Sequence, residues 1–384
     1  MRFDFVLSPK IIFGSGRLTE LGAAASTFGR RAFVVTGQNA SRATQLLEIL
    51  KAHNVEAITF SVSGEPTVEL VRDGRRQASD NDCDMVIGFG GGSSLDSAKA
   101  IAALMTNLGD PLDYLEVIGN GRPITNLSAP YIAVPTTSGT GSEVTSNAVL
   151  FSAEHRVKVS LRSPLMLARI ALIDPQLTYS SPQSVTAYSG LDALTQVIEP
   201  FVSNKANPLT DALCRDGILR ASWALRRAYE NPEDKDARES MSLVSLYGGI
   251  ALSNAKLGAV HGFAGPFGGM YAAPHGAICA RLLPFVMEAN IRAIRERMPD
   301  SDYLDRFAVV ARLLTGNAVA EPHDGVVWIR ELMESLLVPG LSTYGIEDSE
   351  YQMLIEKATV ASSMQGNPIK LTTQEMEAIL KAAA

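Results

Sequence analysis

The chain has little of what marks a disulfide-stapled, membrane-spanning or nucleic-acid-binding protein. Its 384 residues hold only three cysteines, Cys83, Cys214 and Cys279. They are odd in number, far apart and without C-x-x-C spacing, which argues against a disulfide framework and predicts a reducing compartment. Each is read as a small buried apolar residue rather than a ligand. The opening MRFDFVLSPKIIFGSG has no apolar run long enough for a signal peptide. No stretch reaches the roughly 18 uncharged apolar residues of a membrane span. A cytoplasmic chain with no membrane partner is expected. No block of five like charges occurs, the net charge is -7, and the pairs Arg30-Arg31, Arg75-Arg76 and Arg226-Arg227 are isolated. A nucleic-acid surface would need a denser basic patch.

What is there is an ordinary globular composition, 46% apolar and 20% charged, in a chain long enough for two or three domains. The first half alternates short apolar runs with amphipathic periods. Strands are predicted over 31–36, 56–61, 83–89 and 131–135, and helices over 41–53, 68–79 and 94–106. TSNAVLF, RVKVSL and RIALID add strands up to Asp174. Strands alternating with helices imply a parallel sheet covered on both faces. From about Val185 the periods are helical, and the boundary is placed near Ser181–Ser184. The expectation is an α/β domain over 1–182 and an all-α domain over 183–384.

Two polar loops follow predicted strands. In GFGGGSSLDSAKA, glycines Gly90, Gly91 and Gly92 sit between a strand and a helix. Backbone without Cβ atoms, leading into helix N-terminal amides, suits a phosphate or pyrophosphate, with Ser93 or Ser94 as N-cap. A glycine-rich turn with no ligand is the alternative. The P-loop pattern is absent, and Asp96 and Lys99, three apart, form either a helix pair or surface decoration. VPTTSGTGSEVT carries Thr136, Thr137, Ser138, Thr140 and Ser142 at the carboxyl end of a strand, where such sheets line their ligand crevice.

The helical half holds the remaining chemistry. Of five histidines, His53, His155 and His323 sit in polar surroundings and read as surface residues. His261 and His275 lie fourteen apart among Gly, Ala and Phe. They are either hydrogen-bonded core residues or, with Asp192, an N/N/O set for a divalent metal. In GLDALTQVIEP, Asp192 and Gln196 are one turn apart and share a helix face.

These motifs resemble those of the iron-containing (group III) alcohol dehydrogenase family over nearly the whole chain. GGGSSLDSAKA is similar to GGGSxxDxAK, and PTTSGTGSEVT matches PTTxGTGSEVT. GLDALTQVIEPFVS resembles GxDALxHxxExxVS, and LGAVHGFAGPFGGMYAAPHGAICARLLPFVMEAN resembles LGxVHAxAHPLGxxxxxPHGxxNAxLLPxVxxxN. GNPIKLTTQEM echoes NPRxTxED near the end. The resemblance implies a Rossmann-like α/β domain followed by an all-α domain, the dehydroquinate synthase-like fold. It implies nicotinamide-dependent interconversion of a small alcohol with an aldehyde or ketone, in at least a homodimer. Cofactor residues carried over are Gly91, Gly92, Ser93, Thr136, Thr137, Thr140 and Lys158. The metal positions, for Fe²⁺ or Zn²⁺, match Asp192, Gln196, His261 and His275, with His261 and His275 at the chemistry.

Two departures follow. Gln196 stands where the family has a ligand histidine, and an amide oxygen binds such metals more weakly. Gly265 stands where it has a histidine of the proton path. A metal-independent reductase, a cofactor-binding protein without catalysis, and a synthase of the dehydroquinate type are the alternatives. At Gly37, NAD-specific members tend to carry an acid. Its absence, with Ser41 and Arg42 as donors nearby, predicts that NADP(H) is accepted and preferred. Phe263, Phe267, Met270 and Tyr271 suggest a partly apolar pocket.

Overall fold

The structure is a computed structural model that describes residues 2–155 and 157–384. It contains two compact units. One comprises Val6–Thr137 and Gly141–Ser180, and the other is built on Ser181–Ala384 and includes Ser138–Thr140. The tip of the second polar loop thus belongs with the helices, which a single cut in the chain does not capture.

The first unit contains β1 (Ile11–Phe13), β2 (Arg31–Gly37), β3 (Glu56–Val62), β4 (Met85–Gly90), β5 (Tyr131–Pro135), β6 (Asn147–Ser152), β7 (Val157–Arg162) and β8 (Ile170–Ile173). Six of them form a sheet in the order β1-β8-β5-β4-β2-β3, parallel throughout. Strands β4 and β5 are buried along their whole length, as apolar runs covered on both faces must be. Side chains alternate between two cores. Phe33, Val35 and Val86 pack on one face with Leu95 and Ile101. Val34 and Ile87 pack on the other with Leu46 and Leu50. The covering helices are α1 (Leu21–Ala25), α2 (Thr44–Ala52), α3 (Val68–Asp80), α4 (Gly92–Thr106) and α5 (Pro111–Tyr114).

One expectation changes here, and one strand comes without a sequence signal. TSNAVLF and RVKVSL do not join the parallel sheet: β6 and β7 pair with each other, antiparallel. A short connection permits only that pairing, and β6 buries alternate residues rather than all of them. Arg156, the first residue of RVKVSL, lies outside the described residues. The short β1, which has no strong strand pattern, pairs with β8 at the sheet edge. The chain runs from β2 outward to β3, then returns to place β4 on the other side of β2. The carboxyl ends of β2 and β4 therefore flank a topological switch point, the place where open α/β sheets bind ligands.

The second unit contains α6 (Gln183–Val202), α7 (Pro208–Glu230), α8 (Lys235–Ala255), α9 (Ala259–Met270), α10 (His275–Arg297), α11 (Tyr303–Thr315), α12 (Pro322–Ser335), α13 (Tyr351–Val360) and α14 (Thr373–Ala383). Leu194, Phe201, Phe263, Phe267, Ile294 and Phe307 are central to its core. Phe263 and Phe267 are fully buried, so they are core residues rather than the pocket lining the sequence suggested. Among the described residues no single helix is long and apolar enough to cross a membrane.

Candidate active site

At the switch point, Gly90 ends β4 with φ of 159°, and a Cβ there would lie 2.5 Å from Ser94 Oγ. No other residue fits that turn. Gly91 is the N-cap of α4, and no side chain caps the helix. The expected caps Ser93 and Ser94 lie inside the first turn instead, because the helix begins at Gly92. Its first amides have no intrahelical partners, and an anion is the natural partner for such a terminus. Thr136 extends the sheet, its N–H donating to Gly90 O at 2.9 Å. Thr137 lies beside the turn, its Oγ1 3.4 Å from where a Gly91 Cβ would stand. Gly37, Gly91, Gly92, Ser93, Thr136 and Thr137 thus gather at the carboxyl ends of neighbouring strands.

Lys99 is not surface decoration. It is fully buried, and its Nζ donates to Ser142 Oγ, Thr145 Oγ1 and Asn147 O at 3.0, 2.8 and 2.7 Å. Asp96 Oδ1 lies 3.6 Å away, and Asp96 Oδ2 accepts from Val149 N–H. The ammonium ties the GSEVT loop to α4. Glu143, equally buried, is pushed up to about 7 by burial, against the pull of its own backbone amide and of Lys99. Other expected cofactor residues have partners of their own. Lys158 Nζ pairs with Glu65 Oε1 at 2.8 Å. Ser41 bonds Asn39 Oδ1 through both N–H and Oγ. Arg42 Nη2 donates to Leu177 O and Ser180 Oγ, each at 3.0 Å. Thr140 lies with the helical unit.

In the helical unit, side chains from α6, α9 and α10 converge. Asp192 Oδ1, one nitrogen each of His261 and His275, and Cys279 Sγ all lie within 4.8 Å of one another. His261 Nε2 is 3.3 Å from Asp192 Oδ1, and His275 Nε2 is 4.0 Å from it. Asp192 Oδ1 is buried and accepts no hydrogen bond. A buried carboxylate oxygen left open costs free energy unless something outside the chain satisfies it. An orphaned carboxylate oxygen and two imidazoles are donors of the kind a divalent metal takes, and tetrahedral N and O ligands at about 2.0–2.2 Å lie roughly 3.3 Å apart. The residues fit such an ion.

The surrounding residues hold the cluster in place. Glu199 Oε2 lies 2.7 Å from His261 Nδ1 and Oε1 accepts from Val260 N–H at 2.7 Å. A carboxylate on the far nitrogen fixes the tautomer that presents Nε2, as in metal-binding carboxylate–histidine pairs. Asn367, in the C-terminal GNPIK segment, accepts from Ala259 N–H. Both acceptors hold the start of α9, and Gly258 makes room: a Cβ there would lie 2.9 Å from Glu199 Oε1 and 3.0 Å from Asn367 Oδ1. Burial alone would lower the His261 pKa. The Cys279 sulfur and the neighbouring carboxylates of Asp192 and Glu199 outweigh it and hold the imidazole well above its ordinary range. Burial would raise Asp192, but His261 and His275 keep it below the usual carboxylate range. Gln196 presents its amide nitrogen, which donates to Gly139 O and to Asp192 Oδ2, each at 3.1 Å.

Asp192, His261 and His275 are thus brought together as expected. Glu199, Asn367 and Cys279 carry no role in the sequence reading. Cys279 is buried like the other two cysteines, but its sulfur faces imidazoles rather than apolar groups. The signal that could have found it is spacing, since Cys279 follows His275 by one helical turn.

Two family models match, the iron-containing alcohol dehydrogenase model over residues 8–175 and the C-terminal model of that family over 186–384. The chain is 32% identical over 390 residues to 1,3-propanediol dehydrogenase of Klebsiella pneumoniae, covering 99% of this chain and 98% of that one. The crystal structure of a 1,3-propanediol oxidoreductase superposes with a TM-score of 0.92 at 32% identity, covering all of both chains. Sulfoacetaldehyde reductase from Bifidobacterium kashiwanohense, in complex with NAD⁺, gives 0.87 at 26% identity, covering 100% of this chain and 99% of that one. With both halves matched, in a Rossmann-like unit followed by a helical one, the chain belongs to the iron-containing alcohol dehydrogenase family, oxidoreductases acting on CH–OH groups.

Proposed function

We propose that the chain interconverts a small alcohol with its aldehyde or ketone, using NAD(H) or NADP(H) and a divalent metal held at Asp192, His261 and His275. The observation that carries this reading is the buried donor cluster with its open Asp192 Oδ1. When bound, the nicotinamide supplies the hydride chemistry and the metal polarises the substrate oxygen. The chain's own residues do the rest. The uncapped amides of α4 receive the pyrophosphate, and buried Lys99 keeps the neighbouring loop in place. Glu199 holds the proton on His261 Nδ1, so that Nε2 stays available. His275, whose side chain is 35% exposed, is the more open of the two imidazoles and would donate a proton only in the absence of a metal.

Gly265 lies one turn after His261 on α9, and nothing lies within 4 Å of a Cβ built there. The missing imidazole of the proton path is therefore replaced by space, which suits a bulkier substrate and leaves proton transfer to water. At Gly37 no carboxylate repels a 2′-phosphate, and a Cβ there would meet only Ser94 Oγ, at 3.7 Å. Because Ser41 and Arg42 are already engaged, we expect NADP(H) to be accepted without strong preference.

The test is NAD(P)H oxidation against a panel of aldehydes and ketones, in chelator-treated protein with and without Zn²⁺ or Fe²⁺. Metal-dependent turnover is expected. Equal turnover without metal would establish a metal-independent reductase, and cofactor binding without turnover would establish a protein that has lost catalysis. A kcat/KM for NADH more than about tenfold above that for NADPH would remove the cofactor assignment.

A further inference from the structure

Position 196 supplies no imidazole, yet four donor atoms still converge. The fourth is sulfur. Cys279 Sγ lies 3.7 Å from His261 Nε2 and 3.6 Å from His275 Nε2. For a tetrahedral ion with bonds of about 2.05 Å to nitrogen and 2.3 Å to sulfur, the nitrogen–sulfur edge is roughly 3.6 Å. Both sulfur distances fit that edge, as they fit thiol–imidazole hydrogen bonds before an ion enters. Gln196 directs its Nε2 at Asp192 Oδ2 and Gly139 O, while its Oε1, a weaker neutral donor than a thiolate, is buried without a hydrogen bond. Asp192 is thereby held from one side while its Oδ1, buried and without a hydrogen bond, faces the two imidazoles and the sulfur. Cys83 and Cys214 show what cysteines without this setting look like. Both are buried, and neither belongs to a group of three or more potential metal ligands among the described residues.

From this geometry we infer that Cys279 has taken the coordination place that the imidazole missing at 196 would fill, making an Asp-His-His-Cys site with a preference for thiophilic ions such as Zn²⁺ over Fe²⁺. The inference deepens the metal-dependent reading above and rests on it. Gln196 then acts as a positioning residue for Asp192, not as a ligand. On binding, the S–H bond of Cys279 breaks, bonds to the ion form from sulfur and from the Nε2 lone pairs of the two imidazoles, and the thiol proton leaves to solvent. Asp192 and Cys279 each bring one negative charge, so a divalent ion is neutralised by its protein ligands. One carboxylate with three imidazoles would leave it one positive charge. A thiolate also favours softer ions than a third imidazole would.

Cobalt reads this directly. Chelator-treated protein is titrated with Co²⁺, and its absorption is followed through the visible d–d region and the near ultraviolet. Wild type should bind one Co²⁺ per chain with tetrahedral d–d bands and a thiolate-to-cobalt charge-transfer band. Cys279→Ser and Cys279→Asn, the latter placing the family motif's residue there, should lose that band and bind Zn²⁺ at least about tenfold more weakly. Gln196→His combined with Cys279→Asn should recover affinity without the band. Far-ultraviolet circular dichroism confirms that each variant is folded, and the wild-type spectrum needs no variant at all. Tetrahedral d–d bands without charge transfer in wild type would overturn the assignment of Cys279 and leave the metal-dependent reading standing. A charge-transfer band that persists in both single variants would overturn it equally. Failure of wild type to bind Co²⁺ would remove both. Turnover that survives chelation beside an intact charge-transfer band would support the ligand and remove the metal-dependent chemistry instead.

Discussion

The glycine turn of the sheet unit and the donor cluster of the helical unit are built from different materials. The turn works through main-chain amides, and its side chains matter chiefly by being small: Gly90 admits no Cβ. The cluster works through side chains that meet only because α6, α9 and α10 pack together. A backbone site is specified by a short contiguous pattern. A side-chain site can exchange one donor for another on a different helix while the fold stays the same. Gln196 and Cys279 lie 83 positions apart in the chain, yet both bear on Asp192.

The largest effect that would sharpen the contrast lies under the turn. Lys99→Met removes the buried cation facing Asp96 and Glu143 and leaves their network without it. It should cost roughly 3 to 5 kcal/mol of folding stability in denaturant titration, while the metal content of the folded fraction is unchanged. A loss below about 1 kcal/mol would show that the ammonium is not what holds the loop.

Glu143 gives a pH-dependent version of the same test. Its folded pKa of about 7 lies above the ordinary 4.5, so the stability associated with its protonated form is present below pH 4.5 and lost as pH rises through 7. Glu143→Gln should be more stable than wild type at pH 8 by about 3 kcal/mol and no more stable at pH 4. A pH-independent difference in melting temperature would contradict this.

In the cluster the expected effects are smaller per residue but fall on the ion. Glu199→Gln keeps the shape and weakens the carboxylate on His261 Nδ1, which should lower metal affinity by about 10- to 100-fold. Unchanged affinity in a competitive chelator titration would show that Glu199 serves only to cap α9. Gly265→His fills open space on a helix face and should shift stability by less than about 0.5 kcal/mol, since histidine is at least as good a helix former as glycine. A large loss in melting temperature would show that the space is not available.

The same contrast explains what the sequence made legible. Strands β2, β4 and β5 announce themselves because central parallel strands are uniformly apolar. The hairpin β6–β7 is harder, since its alternating pattern signals a strand but not the sheet it joins. The turn at Gly90–Ser93 is readable from three glycines after a strand, although the cap falls on Gly91 rather than on a serine. Asp192, His261 and His275 stand out as polar residues in apolar helices. Cys279 does not, because a buried cysteine in a helix looks like any small apolar residue until its neighbours are known. Glu199 and Asn367 are hidden for the same reason, acting through contacts 62 and 108 residues away in the chain.

The central claim is that a main-chain cofactor site and a side-chain metal site are separately built within one family fold. Metal stoichiometry after dialysis and NAD(P)H affinity by fluorescence titration, measured together on Asp192→Ala and Gly92→Val, test it most directly. Asp192→Ala should lose its metal and keep its cofactor affinity within about threefold, or roughly 0.7 kcal/mol. Gly92→Val should keep its metal and lose cofactor affinity by at least about a hundredfold, or 2.7 kcal/mol. Full metal retention in Asp192→Ala, or unchanged NAD(P)H affinity in Gly92→Val, would contradict the account.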